Sequence, residues 1–478
     1  MSVSKFDICV IGGGSAGLSV AAGAAQLGQK VVLFEEGEMG GDCLNYGCVP
    51  SKALLAASKR AHAFRTSAPF GIAPAEPQVD FGAVRAHVRS VIDTIAPIDS
   101  QERFEGLGVR VVRAHAMFTD ARTVEAAGER FTARLFVIAT GSKPATPPIP
   151  GLADTPYVTN ETIFDLDEAP GRLLIIGAGP IGMEMAQAHR RLGSEVTVID
   201  ANRPLSKDDP ELSEIVVQQL RADGVEILQN ARAVSVTTND AGGESEIELS
   251  VDVDGARRVL TGRKLLVAVG RRPTVDGLGL EAAGVAYSPS GIEVDAKLRT
   301  TNKRVYALGD VSGGRQFTHV AGYHASVFVR NALFKTPAKN EEHLAPWVTY
   351  TDPELAHVGL TEADARERHG DGVLITRWPL EENDRAQAER DTRGLIKLVT
   401  KKNGDLLGAS IVGAGAGDLI QPWVLAVSSK LKLTALTDHI AAYPTRGEIS
   451  KRAASAYYSP KVFSKPARAL VRVLSWLG

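Results

Sequence analysis

Two cysteines with a spacing suited to redox chemistry, Cys43 and Cys48, occur in the segment GGDCLNYGCVPSK. A disulfide that closes so short a loop restricts the unfolded chain by only about 2 kcal/mol, so it would stabilise the fold little. Pro50 is suited to the first turn of a helix, where its missing N–H costs little. Lys52 lies one helical turn after Cys48, and both this cation and the helix N-terminus would favour a thiolate. We therefore expect a redox pair rather than two ordinary buried cysteines, whereas Cys9, within an apolar strand, is predicted to be core packing.

The sequence around this pair repeats one pattern twice, FDICVIGGGSAG followed by VVLFEE and RLLIIGAGPIG followed by VTVID. Each copy is an apolar strand, a GxGxxG turn and a second strand with an acidic end, which are Glu35 and Asp200. Such glycines allow a tight turn, close approach of a pyrophosphate and close helix packing, while the acid accepts hydrogen bonds from a ribose. The pattern predicts two dinucleotide-binding domains, with the glycines Gly12, Gly14 and Gly17 in the first and Gly177, Gly179 and Gly182 in the second.

Later segments extend both copies. Each ends in an apolar strand and a small turn, LFVIATGSKP with Gly141 and LLVAVGRRP with Gly270. The segment TTNKRVYALGDVSG places Asp310 just past another strand, which indicates a return to the first domain. From about Pro346 the pattern becomes a mixture of strands and helices, with a hairpin turn predicted at Asn403 and Gly404.

Bulk properties exclude several classes of protein. A chain of 478 residues is too long for one hydrophobic core, so several domains are expected. The hydrophobic fraction of 44% includes no apolar run near the length needed to span a bilayer. A net charge of -2 argues against a nucleic-acid partner. Three cysteines are too few for a secreted disulfide framework, the N-terminus lacks a leader pattern, and a cytoplasmic location is expected; no metal site is predicted.

These motifs resemble those of the class I pyridine nucleotide-disulfide oxidoreductases, the family of lipoamide dehydrogenase, glutathione reductase and the catalytic core of mercuric reductase. The resemblance covers nearly the whole chain and rests on GGGSAG, GGDCLNYGCVPSK, ATGSKP, GAGPIGMEMA, VGRRPT, VYALGD and TDPELAHVGLTEADA. It implies an α/β fold with two Rossmann-like dinucleotide-binding domains, the second inserted in the first, and a C-terminal α+β dimerisation domain. The implied boundaries are 1–150 for the FAD domain, 151–280 for the NAD(P) domain, 281–345 for the central segment completing the FAD domain and 346–478 for the interface domain of a homodimer.

The resemblance also implies roles for individual residues. By motif position, Cys48 would be the charge-transfer thiol beside the flavin and Cys43 the interchange thiol facing the substrate. Lys52 and Glu184 would pair near the flavin, and Asp310 would bind FAD. The implied path runs from nicotinamide to flavin, then to the cysteine pair, then to a disulfide or dithiol substrate by thiolate exchange, and the reverse direction is equally available.

Two further residues bear on cofactor binding. Asp200 would accept from a ribose hydroxyl but repel a 2′-phosphate, which favours NADH over NADPH, although Arg203 lies nearby in sequence and would partly offset that repulsion. His319 occupies a stretch that lies near the flavin in this family and is a candidate cofactor contact, yet a lone histidine is more often a satisfied core residue.

The family pattern fails in the segment AAYPTRGEISKRAA, where Tyr443 replaces the histidine that normally acts as general base. Glu448 is retained five residues later, and His439 lies four positions too early to be the missing base. In the homodimer implied by the family, Tyr443 would reach toward the cysteine pair of the other subunit. The C-terminal cysteine pair typical of mercuric reductases is also absent, which disfavours that activity.

Three functions remain open at this point. The first is an FAD-dependent NAD(P)H oxidoreductase acting on a sulfur substrate, and retention of the cysteine pair with Lys52 and Glu448 favours it. The alternatives are a redox-sensing flavoprotein and an NAD(P)H:quinone or diaphorase-type reductase, which the loss of the histidine base favours.

The final segment, 461–478, is predicted to form one basic amphipathic helix. It would either lie on an anionic membrane surface or pack its apolar side on the dimerisation domain. The basic side comprises Lys461, Lys465, Arg468 and Arg472, and the apolar stripe comprises Phe463, Ala467, Leu470, Leu474 and Leu477.

Overall fold

The computed structural model of the chain describes residues 3–239 and 246–476. It consists of two compact units, of which the first comprises Met1–Phe64, Glu76–Ala201 and Asn230–His343. The second comprises Arg65–Ala75, Asn202–Gln229 and Leu344–Gly478. None of the helices within the described ranges combines the length and the apolar character that crossing a bilayer requires.

The first unit begins with a Rossmann-like half. Its sheet has the order β3-β2-β1-β6-β5-β4, and β1, β2, β3 and β6 run parallel. Parallel strands covered on both faces need nearly continuous apolar sequence, and β2 is buried at every position. The elements are β1 Val3–Ile11, α1 Ser15–Gln26, β2 Val31–Phe34, α2 Gly41–Asn45, α3 Cys48–Arg65, α4 Phe81–Asp99, α5 Gln101–Gly106, β3 Arg110–Val112, β4 Met117–Asp120, β5 Thr123–Ala126, β6 Glu129–Ile138 and β7 Ser142–Pro144.

The second copy of the pattern forms a second Rossmann-like half, in which β9, β8 and β14 are parallel neighbours. Strands β11, β12 and β13 form an antiparallel meander. The small turns that end the two copies pair with each other, because β7 and β15 are antiparallel partners. The elements are β8 Arg172–Ile176, α6 Pro180–Arg191, β9 Glu195–Ile199, α7 Pro210–Ala222, β10 Glu226–Leu228, β11 Ala231–Asn239, β12 Glu246–Val253, β13 Ala256–Gly262, β14 Lys264–Val267 and β15 Arg271–Pro273.

The chain then returns to the first sheet, as the sequence predicts. Strand β18 pairs in parallel with β6, with Val305 opposite Phe136, and Asp310 follows that strand. The second half is therefore an insertion between strands of the first sheet. The elements of this segment are α8 Leu280–Ala283, β16 Tyr287–Ser288, β17 Gly291–Ile292, β18 Val305–Ala307 and α9 Thr318–Phe328.

The two glycine turns have the same geometry. Gly12 and Gly177 both have φ +108°, a conformation that other residues rarely adopt. A Cβ on Gly12 would lie 2.3 Å from the carbonyl oxygen of Ala139, and one on Gly177 would lie 2.4 Å from that of Ala268. The two copies of the sequence pattern therefore share the same close packing of the glycine turn against the backbone of the neighbouring strand.

The second unit contains a five-stranded antiparallel sheet of order β19-β20-β23-β22-β21. The predicted hairpin joins β22 and β23, and the Gly404 amide donates to the Lys401 carbonyl oxygen at 2.9 Å. Trp423, fully buried in the core, donates from Nε1 to Ser450 Oγ at 3.0 Å. The elements are β19 Trp347–Thr349, β20 Glu354–Gly359, α10 Glu362–His369, β21 Val373–Pro379, α11 Asp384–Ala388, β22 Leu395–Lys401, β23 Leu406–Gly413, α12 Ala416–Leu419, α13 Gln421–Ser428, α14 Thr434–Asp438, α15 Glu448–Val462 and α16 Lys465–Leu474.

The prediction of one continuous helix over 461–478 is wrong. Helix α15 ends at Val462, and Ser464 Oγ accepts from the Ala467 amide to begin α16. Lys461 therefore belongs to α15, where its Nζ donates to Tyr457 Oη at 2.9 Å. Leu477, assigned to the apolar stripe, lies outside the described residues.

A buried lysine organises one side of the second unit. Lys397 on β22 is 4% exposed, and its Nζ lies 2.7 Å from Asp209 Oδ2, whose side chain is 5% exposed. The same Nζ lies 3.0 Å from Glu211 Oε2 and 2.8 Å from Glu362 Oε2. One cation thus holds three carboxylates from two separate stretches of sequence.

Replacement of Lys397 by Met should destabilise the protein strongly. Arg377 remains beside Glu211 and Glu362, but removal of the Lys397 cation leaves the buried Asp209 carboxylate without its ion-pair partner. Breaking a buried pair typically costs about 3–5 kcal/mol. Urea denaturation should report a loss of that size in the free energy of unfolding. Lys430→Met, a matched change at an exposed lysine, should change it by less than about 0.5 kcal/mol. Equal urea midpoints for the two variants would contradict this account of the buried lysine.

Candidate functional site

The first glycine turn forms a cradle suited to a dinucleotide. Gly14 immediately precedes α1, and no side chain among the described residues caps that helix, so its first-turn amides are available to a pyrophosphate. Glu35, at the end of β2, accepts from the Gly13 amide and from the Gly37 amide, each at 2.6 Å. A carboxylate has roughly four acceptor positions, so Glu35 retains capacity for ribose hydroxyls. These residues fit the adenosine diphosphate part of FAD.

The second turn reproduces this arrangement. Asp200, after β9, accepts from the Ala178 amide at 2.7 Å, and Gly179 begins α6 with Pro180 in the first turn. Open space surrounds the position of a Cβ on Gly179, as a close backbone approach by a phosphate requires. These residues fit a nicotinamide dinucleotide.

Arg203, which the sequence suggested as a counterweight to Asp200, is engaged within its own loop. Its guanidinium donates to the carbonyl oxygens of Leu205 at 3.2 Å, of Ser206 at 2.9 Å and of Asp208 at 2.5 Å. It also donates to Ser213 Oγ at 2.9 Å. This set of bonds fixes the loop that leads into α7.

The cysteine pair lies where two short helices meet. Cys43 is within α2 and half-buried, whereas Cys48 begins α3 and is exposed; both are free thiols. The two thiols are hydrogen-bonded to each other, and Thr318 Oγ1 at the start of α9 lies 3.4 Å from Cys48 Sγ. Pro50 lies in the first turn of α3, as predicted.

The hydrogen bond between the thiols shifts their pKa values in opposite directions. It lowers the pKa of Cys48 to about 6 against the opposing effect of partial desolvation by neighbouring groups, with Thr318 and Lys52 adding to the lowering. The same hydrogen bond, together with burial, raises the pKa of Cys43. The pair therefore favours a thiolate at Cys48 and a proton on Cys43. Cys9 is fully buried in the core, as expected, and burial raises its pKa.

The predicted pair of Lys52 and Glu184 is present. Lys52 Nζ on α3 donates to Glu184 Oε2 on α6 at 2.8 Å, and the Glu184 side chain is 5% exposed. The ion pair joins the cysteine-bearing helix to the helix of the second glycine turn. The structure therefore brings the redox pair and the second dinucleotide site into direct connection.

Asp310 belongs to a polar network that the sequence did not reveal. Ser142 Oγ donates to Asp310 Oδ2 at 2.6 Å and accepts from Arg271 Nε at 2.7 Å. Arg271 Nη2 also lies 3.0 Å from Asp42 Oδ1, the residue next to Cys43. Burial raises the pKa of Asp310, opposed by the Ser142 hydrogen bond and the Arg271 charge. The signal for this network was the pair of small turns, ATGSKP and VGRRPT, whose strands β7 and β15 bring Ser142 and Arg271 together.

The histidine that contacts the Asp310 turn is His324 rather than His319. His319 is exposed and stacks on Phe317 with ring centroids 5.2 Å apart. His324 is fully buried, and its Nδ1 accepts from the Gly309 amide at 3.1 Å. Its Nε2 therefore carries the hydrogen and donates to Glu342 at 3.0 Å, which lowers the pKa of Glu342. A cofactor contact by His319 stays a prediction.

The segment that departs from the family pattern places a phenol, not an imidazole, on the surface. Tyr443 is 66% exposed, and its Oη donates to Asp384 Oδ2 at 2.8 Å, which raises the pKa of the phenol. Glu448 accepts from Arg452, whose Nη2 lies 2.7 Å from Glu448 Oε1. His439 is exposed, and its carbonyl oxygen accepts from Lys451 Nζ. Because the raised pKa leaves even less phenolate at neutral pH than an ordinary phenol has, Tyr443 has little capacity to accept a proton there.

Comparison with known proteins agrees with this site. The family described as pyridine nucleotide-disulphide oxidoreductase matches residues 6–325, and the dimerisation domain of that family matches residues 345–454. A mercuric reductase from Bacillus cereus is 36% identical over 93% of this chain and 70% of its own length. A dihydrolipoyl dehydrogenase from Staphylococcus aureus is 35% identical over 94% of this chain and 96% of its own.

A solved structure shares the fold over nearly the full length. The HOCl-induced flavoprotein disulfide reductase RclA from Escherichia coli superimposes with a TM-score of 0.83 at 28% identity, covering 94% of this chain and 99% of that one. The family match spans both dinucleotide turns, the cysteine pair and the dimerisation domain. This chain therefore belongs to the pyridine nucleotide-disulphide oxidoreductase family, as an FAD-dependent flavoprotein disulfide oxidoreductase.

Proposed function

We propose that this enzyme passes electrons between NADH and a disulfide or dithiol substrate through Cys43 and Cys48. The observation that carries the proposal is the hydrogen-bonded thiol pair, in which the pKa of Cys48 is lowered to about 6. Its ion-paired neighbour Lys52 links that pair to the second dinucleotide turn. An ordinary structural disulfide needs neither feature.

The residues of the chain account for the thiol chemistry. Bound FAD supplies two-electron exchange with the nicotinamide on one side and with the sulfurs on the other. Two electrons break the Cys43–Cys48 bond, Cys43 takes up one proton and Cys48 remains a thiolate. Cys43 then attacks a substrate disulfide and passes its proton to the departing sulfur, and Cys48 displaces the second substrate sulfur from the mixed disulfide as a thiolate. That thiolate takes a proton from water, so the cycle restores the bridge and releases a dithiol.

NADH is the proposed donor because Asp200 stands at the ribose end of the second turn. A carboxylate there attracts a ribose 2′-hydroxyl and repels a 2′-phosphate. The bonds of Arg203 to its own loop support this preference, since they occupy most of its donors. We also propose that the enzyme is located in the cytoplasm.

The dimerisation domain supports a homodimer, and in the proposed arrangement Tyr443 faces the cysteine pair of the partner subunit. Because a phenol donates a hydrogen bond but scarcely accepts a proton at neutral pH, Tyr443 cannot serve as a routine base. This favours a second candidate function, NADH-dependent reduction of quinones or dyes, which needs no such base. The activity of the relatives named as mercuric reductases is not part of this proposal.

Replacement of Cys43 by Ser should abolish turnover with disulfides while leaving reduction of the yellow holoenzyme by NADH intact. Without the interchange thiol no mixed disulfide forms, whereas the dinucleotide site is unchanged. Anaerobic stopped-flow reduction with NADH and NADPH, followed by steady-state assays on small disulfides, measures both steps and the preference for NADH. Cys9→Ala should keep both activities. Disulfide turnover by Cys43→Ser at the rate of the unmodified enzyme would exclude the bridge from the mechanism.

Replacement of Arg271 by Met should weaken FAD binding at least about tenfold. Two of its donors bond to Ser142, and hydrogen bonds from charged groups contribute about 1.5–3 kcal/mol each. Loss of the Arg271 guanidinium also leaves the carboxylates of Asp42 and Asp310 without the cation that lies near both. Fluorescence titration of the apoprotein with FAD measures the change. Arg272→Met, at an exposed neighbour whose partner is Asp276, should bind FAD normally. Equal affinity in both variants would separate Arg271 from flavin binding.

Replacement of Tyr443 by His should raise the rate of dihydrolipoamide oxidation and leave NADH-dependent dye reduction nearly unchanged. General-base catalysis is worth roughly 10² to 10⁴ in rate, so the unmodified enzyme should oxidise dihydrolipoamide slowly by that factor. Steady-state assays of both reactions across pH measure the difference. Tyr443→Phe should match the unmodified enzyme in dithiol oxidation, because the phenol is not the base. Efficient dihydrolipoamide oxidation by the unmodified enzyme would show that another group accepts the proton.

A further inference from the structure

Helix α16 stands apart from the rest of the second unit. It begins after the break at Phe463 and Ser464, and every residue of Lys465–Leu474 is exposed or partly exposed. The match to the dimerisation domain of the family ends at residue 454, so α16 lies outside the matched residues. Helix α15, in contrast, packs Ile449, Ala453 and Tyr457 into the core.

The two sides of α16 differ in chemistry. At about 100° per residue, Lys465, Arg468 and Arg472 fall within roughly 60° of the helix circumference. The opposite side is aliphatic and exposed, with Leu470 at 58%, Val471 at 63%, Val473 at 62% and Leu474 at 54%. Contiguous exposed aliphatic side chains of this kind mark a surface that binds something.

The basic side chains of α16 indicate that its binding partner is negatively charged. The segment Lys465–Leu474 contains no acidic residue, so the cations of α16 have no carboxylate on their own helix. Trp476, just after the helix, is 90% exposed, and tryptophan favours the boundary between water and lipid. An anionic bilayer offers both negative headgroups and an apolar layer to one helix lying in its surface, whereas nucleic acid offers nothing to the aliphatic side.

We propose that α16 binds the surface of an anionic lipid bilayer. The helix lies in the plane of the surface, with Leu470, Val473 and Leu474 at the boundary of headgroups and acyl chains. Lys465, Arg468 and Arg472 contact the anionic headgroups. The break before Ser464 allows α16 to take this orientation while α15 remains packed on its sheet.

Cosedimentation of the full-length holoenzyme with vesicles tests the proposal. The protein should bind vesicles of phosphatidylcholine mixed with phosphatidylglycerol and bind pure phosphatidylcholine far more weakly. Each basic residue near such a surface contributes about fivefold to binding, so Arg468→Glu with Arg472→Glu should reduce it at least about twentyfold. Binding should also weaken as salt is raised, because salt screens the attraction.

Two further variants distinguish the alternatives. Leu470→Ala with Leu474→Ala keeps every charge of α16 and should still weaken binding at least about tenfold, which charge attraction alone would not predict. Arg368→Glu with Lys430→Glu makes the same charge change at exposed positions outside α16 and should bind like the unmodified protein. NADH-dependent dye reduction by every variant reports that the enzyme is folded.

Three results would overturn the proposal. Binding to anionic vesicles that is absent, or that persists after truncation at Ser464, removes α16 as a membrane contact. A smaller oligomer in light scattering after that truncation, with no vesicle binding by the full chain, assigns the aliphatic side to a second copy of this chain instead.

Discussion

The close backbone approach at the glycine turns is the constraint on which both dinucleotide halves depend. A Cβ on Gly17 would lie 1.8 Å from the Gly12 carbonyl oxygen, and one on Gly182 would lie 1.9 Å from that of Gly177. Only bare backbone allows the helix to start this close to the strand it follows. This close approach places the N-terminus of the helix beside the acidic residue at the end of the neighbouring strand. The geometry appears in both halves because each half has the same glycine-to-carbonyl contact.

The redox pair depends on these halves through two links. The ion pair of Lys52 and Glu184 ties the cysteine-bearing helix α3 to α6 of the second half. Arg271 ties Asp42, the neighbour of Cys43, to the turn that carries Asp310. The Cys43 thiol lowers the pKa of Cys48 most, and these ion pairs anchor the two segments that carry the two cysteines. A thiolate stabilised inside the pair also reduces the need for an external base in disulfide reduction, which is consistent with a phenol at position 443.

Much of this site was predictable from the sequence, because its signals are local. The glycine turns, the acids at 35 and 200, the start of α3 near Cys48 and the hairpin at Gly404 each follow from residues close together in the chain. The partners of Arg271 and His324 were missed because they depend on tertiary placement: Asp42 and Arg271 are brought together only when β7 and β15 pair. The break before α16 had a local signal that the periodicity concealed, since Ser464 followed by Pro466 is a typical helix start.

The two acids lie where the motif predicts, but they have a structural role that the motif does not indicate. Glu35 and Asp200 each accept an amide of the glycine turn on the neighbouring strand, at 2.6 Å and 2.7 Å. An acid at this position therefore stabilises the turn whether or not a nucleotide is bound. Nucleotide choice rests on the acceptor capacity left after that bond and on the nearby cations. The bond from the Ala178 amide that shapes the second turn also fixes where the negative charge of Asp200 lies, so a nucleotide bound at this turn meets that charge at a position set by the backbone.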